Sequence, residues 1–159
     1  MVADLPPAIE ITAGTDGLVV LSSAAKRVSL FGEVRYGLFK PWFQVGGVVA
    51  TRYSGGTATE ESGLQLLIGP TLNWLGQEDG DPRLSNAAFV TATAGVTTAR
   101  TAFSGIVVNA NTQFTVSLMA GKRFALADNI SFSPSAGLLK QWDFSPSFVI
   151  QVVAFSLFL

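Results

Sequence analysis

Ile130-Ser131-Phe132-Ser133-Pro134-Ser135-Ala136 and the closing run from Phe148 to Leu159 are the two segments on which the fold turns. The loop Gln141-Trp142-Asp143-Phe144-Ser145-Pro146 joins them, and between Asn129 and Leu159 only Lys140 and Asp143 are charged. In the first segment Ile130, Phe132, Pro134, Ala136 and Leu138 share one face, while the serines and Gly137 share the other. That is the period of two of a strand. Such an apolar face points either into the core of a soluble β-sandwich or outward to lipid from a barrel whose small polar residues point inward.

Composition favours lipid. The 159 residues, read as a single domain over 1–159, are 48% hydrophobic and 13% charged, where soluble domains carry about 25% charge. Mean hydropathy is +0.43, yet polar residues interrupt every run before the roughly 18 to 20 apolar residues of a spanning helix. A β-barrel hides its apolar exterior in the bilayer and needs few charges, which accounts for both facts. The net charge of −1 and the absence of basic runs beyond Lys26-Arg27 and Lys122-Arg123 speak against nucleic acid. With no cysteine and no histidine, disulfides, thiolate metal sites and imidazole chemistry are excluded. Met1-Val2-Ala3-Asp4-Leu5-Pro6-Pro7 has neither the basic nor the apolar region of a signal peptide. The expectation is a mature sequence with its leader removed, residues 1–7 forming a periplasmic tail.

Strand signals recur every 18 to 20 residues or so, the spacing of ~10-residue spanning strands plus connections. They predict eight strands, at 8–20, 26–38, 41–54, 63–75, 86–100, 111–125, 129–141 and 147–159, with Asp16-Gly17 as an alternative early hairpin turn. In the second, Val28, Leu30, Gly32, Val34, Tyr36 and Leu38 oppose Ser29, Phe31, Glu33, Arg35 and Gly37. In the third, Phe43, Val45, Gly47, Val49 and Tyr53 oppose Gln44, Gly46, Val48, Ala50 and Arg52. The fourth sets Leu64, Leu66, Ile68, Pro70, Leu72 and Trp74 against Gln65, Leu67, Gly69, Thr71 and Asn73. The sixth sets Phe114, Val116, Leu118, Ala120 and Phe124 against Gln113, Thr115, Ser117, Met119, Gly121 and Arg123. In each case the first set is assigned to lipid. Both faces of the last strand are mostly apolar, so its orientation stays open.

Tyr36, Trp42, Tyr53, Trp74, Phe124 and Trp142 fall near strand ends, where half-polar rings suit the lipid–water boundary and form an aromatic girdle. The connections at 38–41 and 125–129 are short, while 54–61 and 101–110 read as longer outer loops. The stretch from Gly76 to Ser85, with Glu78, Asp79 and Asp81, is long and acidic where a short periplasmic turn belongs.

Taken together, the alternating strands, the short turn from Phe124 to Asn129 into Ile130-Ser131-Phe132-Ser133-Pro134, and the terminal strand Val152 to Leu159 resemble the small OmpA/OmpX-type outer-membrane barrels. The resemblance spans the chain and rests on pattern. It implies an eight-stranded antiparallel up-and-down transmembrane β-barrel in a bacterial outer membrane, with both termini periplasmic. The partners implied are membrane lipid and lipopolysaccharide, with a protein partner at the outer loops, for a monomeric barrel. In that family the last strand commonly ends on an aromatic residue; here Phe158 precedes a final Leu159.

Candidate site residues are the charges on inner faces: Glu10, Glu33, Arg35, Arg52 and Arg123, with Asp16 and Arg100 as outlying members. An eight-stranded barrel is just wide enough for side chains to fill, and charges there must pair. Glu33 and Arg35, two apart on one strand, are expected to pair across strands with Arg52, Glu10 or Arg123. The charges form either a structural plug or, by pair exchange, a gated polar pathway for small or apolar solutes. Without histidine the Ser–His and Asp–His routes to catalysis are closed, and the carboxylate pairs Glu60-Glu61 and Glu78-Asp79 fall in loop-like sequence. No catalytic, metal or cofactor site is expected. A soluble lipocalin- or avidin-like barrel is the remaining alternative and would require charged outer faces.

Overall fold

A computed structural model describes residues 9–20, 26–40, 42–55, 59–75, 77–78, 81–82, 84–104, 106–142 and 146–159. Its strands are β1 (Ile9–Val20), β2 (Lys26–Lys40), β3 (Phe43–Gly55), β4 (Thr59–Trp74), the short pair β5 (Gln77–Glu78) and β6 (Asp81–Pro82), β7 (Ala88–Phe103), β8 (Ile106–Lys122), β9 (Phe124–Ala127), β10 (Ile130–Phe132), β11 (Ser135–Gln141) and β12 (Ser147–Phe158). The wall is a ring of eight antiparallel strands: β1, β2, β3, β4, β7, β8 continued by β9, β10 continued by β11, and β12, which pairs back onto β1. Ile9 and Leu159 exchange backbone hydrogen bonds of 3.2 and 2.9 Å at the seam. Closure leaves no sheet edge inside the bilayer, the condition for a sheet to cross hydrocarbon.

Alternation sets the faces. Along β2 every residue from Ser29 to Leu38 alternates between buried and exposed, and β4 exposes Leu64, Leu66, Ile68, Pro70, Leu72 and Trp74. Leu30 is 64% exposed and Ile68 65%, among outward residues of every wall strand. These apolar outer faces are the reverse of what a soluble ligand-binding barrel requires, so the protein is a transmembrane barrel.

β12 solves its orientation with a bulge. Thr15 pairs with Val153 but Gly17 pairs with Ile150, so β12 spends one residue more than β1. Val152 and Val153 both face out, Ser147 and Val149 face in on one side of the bulge, and Ala154 and Ser156 face in on the other. A bulge inserts one unpaired residue and flips the phase, which is why simple alternation could not assign this strand. The seventh wall strand is interrupted at Pro134, which has no N–H to give the ladder, although Ser133 N still reaches Ala154 O at 2.8 Å.

Three expectations are corrected. Asp16-Gly17 is no turn, because β1 runs through it to Val20. The region 101–110 is no loop: β7 runs to Phe103 and β8 starts at Ile106, the two residues pair, and Ser104 takes a φ of 48°. Thr101, Ile106, Val107 and Val108 are strand formers, and a Ser-Gly pair suits a hairpin that needs positive φ. The outer connection at 54–61 is likewise mostly strand, with Gly55 paired to Glu60.

The long acidic connection after β4 also has a place. Gln77 and Glu78 pair with Pro82 and Asp81, and a 3-10 turn follows at Leu84–Asn86. Leu84, Ser85 and Ala87 are buried. Ser131 Oγ donates to Ser85 O at 2.6 Å, and Arg123 N to Ala87 O at 3.0 Å. This segment packs against the wall at the end of the barrel that carries the chain termini.

Candidate functional site

Large interior side chains fit this narrow lumen because glycine stands beside them on the next strand. A Cβ on Gly46 would lie 2.7 Å from Arg35 Cγ, one on Gly121 2.6 Å from the Phe89 ring, and one on Gly137 2.8 Å from Met119 Sδ. Each of these glycines is the direct cross-strand neighbour of the residue it makes room for.

The space so made holds a charge cluster near the terminal end. Glu10 and Arg123 are fully buried, and Glu33 and Arg35 nearly so. Arg123 reaches across the lumen to Glu10 with both forks, Nε to Oε1 at 2.8 Å and Nη2 to Oε2 at 2.6 Å. Arg35 grips Glu33 in the same bidentate way, both contacts at 2.6 Å, and gives Nη1 to Glu10 Oε1 at 3.2 Å. Paired forks of this kind are the strong form of the guanidinium–carboxylate contact. Two carboxylates face two guanidiniums, so the cluster is neutral.

Neutral side chains complete it. Asn73 Oδ1 accepts from Arg123 Nη1 at 2.8 Å, and Asn73 Nδ2 donates to Gln44 Oε1 at 2.9 Å. Thr12 Oγ1 bonds Glu10 at 3.3 Å and Ser156 Oγ at 2.8 Å, which in turn meets Ser133 Oγ at 2.8 Å. Phe89 lies beside both cations, its centroid 4.9 Å from Arg35 Cζ and 4.5 Å from Arg123 Cζ, in cation–π range of each. All eight wall strands therefore contribute a residue.

Of the sequence candidates, Glu10, Glu33, Arg35 and Arg123 come together. Glu33 takes its partner from its own strand rather than across strands, because its cross-strand neighbours are Thr12 and Val48, which carry no cation. Arg100 stands apart: it is exposed near the far end, since the parity set by buried Thr97 turns it outward. The side chains of Arg52, Asp16 and Tyr53 lie outside the described residues. Tyr36, Trp42, Trp74 and Phe124 are 46 to 57% exposed around the terminal end, and Trp142 is 75% exposed at the other. Gln44 and Asn73 could have been found as amides on the inner faces of their strands. Nothing in the sequence distinguishes Phe89 from a lipid-facing aromatic.

Above the cluster the lumen is lined by hydroxyl pairs, Thr71–Thr91, Thr93–Ser117 and Thr97–Thr115, each at 2.8 Å. Apolar contacts fill the remainder, Phe31 with Ala50 and Ala154, and Met119 with Leu139 and Val149. A cavity of about 40 Å³ separates the two zones, between Arg35, Gln65, Phe89 and Gln151, room for a few waters at most.

Neither a family model nor a curated protein matches this chain. Solved structures do. Neisserial surface protein A superposes with a TM-score of 0.72 at 10% identity, over 95% of this chain and 96% of its own. The fold is that of the small outer-membrane β-barrels. The N-terminal β-barrel domain of Pseudomonas aeruginosa OprF follows at 0.64 and 10% identity, covering 96% of this barrel and 97% of that one. Ail, the attachment invasion locus protein of Yersinia pestis, solved in complex with the heparin analogue sucrose octasulfate, gives 0.63 and 14%, covering 97% and 99%. At such identities the likeness carries the fold and no site residue.

Proposed function

We propose that this protein is a closed outer-membrane scaffold that presents its outer hairpins to other molecules, and that it neither conducts nor catalyses. Residues 1–159 form one barrel domain, with a periplasmic tail at 1–7 and both termini in the periplasm. Lipid and lipopolysaccharide surround it, and a protein partner meets it at the outer end. The observation that carries this reading is the neutral cluster of Glu10, Glu33, Arg35 and Arg123, tied to all eight wall strands. A polar plug whose charged groups are all paired holds the wall strands in register and leaves none of those charges over for chemistry.

A gated conduit is the second reading, favoured by one detail: Glu10 accepts from both guanidiniums, so an exchange of partners is available without stranding a charge. Planar bilayers decide between them. Purified full-length protein is expected to give no stable conductance steps, and well-defined steps would put the conduit in place of the scaffold.

A further inference from the structure

The lipid-facing side of β7 is a furrow. Buried Phe89, Thr91 and Thr93 turn Ala88, Val90, Ala92 and Ala94 outward, and the strands on either side stand above these short side chains. Trp74, Leu72 and Ile68 rise from β4, and Lys122, Leu118 and Val116 from β8, all of them exposed. The two ridges are two strand spacings apart, about 9.5 Å. Towards mid-membrane the furrow opens around Ala94 and Ile68 into an apolar hollow of about 420 Å³, lined also by Gly47, Leu66 and Val96. At the terminal end three strands meet in register: Trp74 lies opposite Ala88, and Ala88 opposite Lys122. Lys122 is thus a cation on a wall that faces lipid. Among the described residues no carboxylate pairs with it. Its Nζ stands 5.8 Å from the centroid of Phe124, within the girdle.

We propose that Lys122, Trp74 and the furrow between them bind one anionic phospholipid from the leaflet at the terminal end. The proposal rests on the reading above for the side of the membrane, the periplasmic one. Charge complementarity selects the occupant. An ammonium at the edge of hydrocarbon is costly without an anion or water, and the anion native to that depth is a lipid phosphate. Lys122 Nζ donates to the phosphate as a point charge. The Trp74 indole N–H, on the far side of Ala88, donates to a glycerol ester carbonyl, as suits a ring that is apolar on one side and polar at its tip. Ala88 keeps the floor between them low, and one acyl chain follows Val90 and Ala92 to the hollow at Ala94. Phosphatidylglycerol fits better than phosphatidylcholine, whose own cation already offsets its phosphate. A second copy is the poorer occupant, because a two-fold along the membrane normal brings a second Lys122 to the same interface.

The test is native mass spectrometry of the full chain released from nanodiscs that hold phosphatidylglycerol and phosphatidylcholine in equal amounts. The barrel is expected to retain one phosphatidylglycerol in preference. Lys122→Gln should lower the ratio of the two retained lipids by about fivefold, the size expected of one lysine near an anionic lipid surface. Ala88→Phe, which fills the floor from the outside and leaves the lumen untouched, should lower retention of phosphatidylglycerol as much. Lys140→Gln, an outward lysine towards the opposite end, should change neither. Retention indifferent to headgroup, loss in only one of the two furrow variants, or an equal loss in Lys140→Gln overturns the site. That result, in protein that stays silent in the bilayer assay, leaves the scaffold reading standing; conductance overturns the scaffold and not the lipid site.

Discussion

Glu10→Gln is expected to destabilise the barrel by about 3 to 5 kcal/mol, because it strands a buried guanidinium. Arg123 loses its counter-charge and one of its two acceptors on residue 10, and the remaining amide oxygen, Asn73 and Gln44 offer it only neutral acceptors. Arg35 keeps Glu33 and suffers less. Arg123→Met in the same background removes the stranded charge, so the double variant should recover most of the loss. Such non-additivity separates a coupled pair from two independent contacts. Urea unfolding in lipid vesicles reads the effect. A loss within about 1 kcal/mol of wild type, the size of an exposed pair, would mean that water reaches Glu10 and that the lumen is not plugged.

Leu118→Arg should cost about 2 to 4 kcal/mol, whereas Phe124→Arg should cost ~1 or less. Leu118 faces outward on β8, about midway between Phe114, whose backbone oxygen accepts from Trp142 N, and Phe124 in the terminal girdle on β9. An arginine at mid-depth has no water within easy reach, while one at the girdle extends its guanidinium to the boundary. Equal costs at the two positions, by the same unfolding measurement, would show that the outer face of β8 is not graded by membrane depth.

Most of the fold was legible because lipid and lumen impose opposite demands on neighbouring residues. Ser29 to Leu38 and Leu64 to Trp74 alternate without exception, so face, strand number and membrane setting all follow from period two. What escaped was whatever breaks that period. The extra residue in β12 leaves Val152 and Val153 both outward, and sequence gives no sign of it when both faces are apolar. The region 101–110 reads as a loop in sequence, yet β7 runs to Phe103 and β8 starts at Ile106, so Asn109 sits within a strand. The connection after β4 reads in sequence as too long and acidic for a periplasmic turn; that Leu84 and Ala87 are buried depends on tertiary packing beyond any local pattern.

The charged members of the site were legible as inner-face charges in a lumen too narrow to leave them unpaired. Their partners were less so. Glu10 lies directly opposite Arg35, a neighbour given by register, but Arg123 reaches Glu10 across the lumen from the sixth wall strand. Register is blind to that distance. Phe89 is hidden for a related reason: an aromatic beside two guanidiniums and an aromatic against lipid have the same letter, and only the structural register sets Gly121 opposite it.

Because the chain contains no cysteine, single cysteines can report the environment of each face without background. Spin labels at positions 66, 116 and 118, replacing outward Leu66, Val116 and Leu118, should be relaxed by oxygen dissolved in the bilayer and shielded from a water-soluble nickel chelate. Labels replacing inward Thr71, Thr115 and Ser133 should escape the bilayer oxygen. The reverse pattern, or equal access on both sets, would contradict a barrel with lipid outside and a packed polar lumen within.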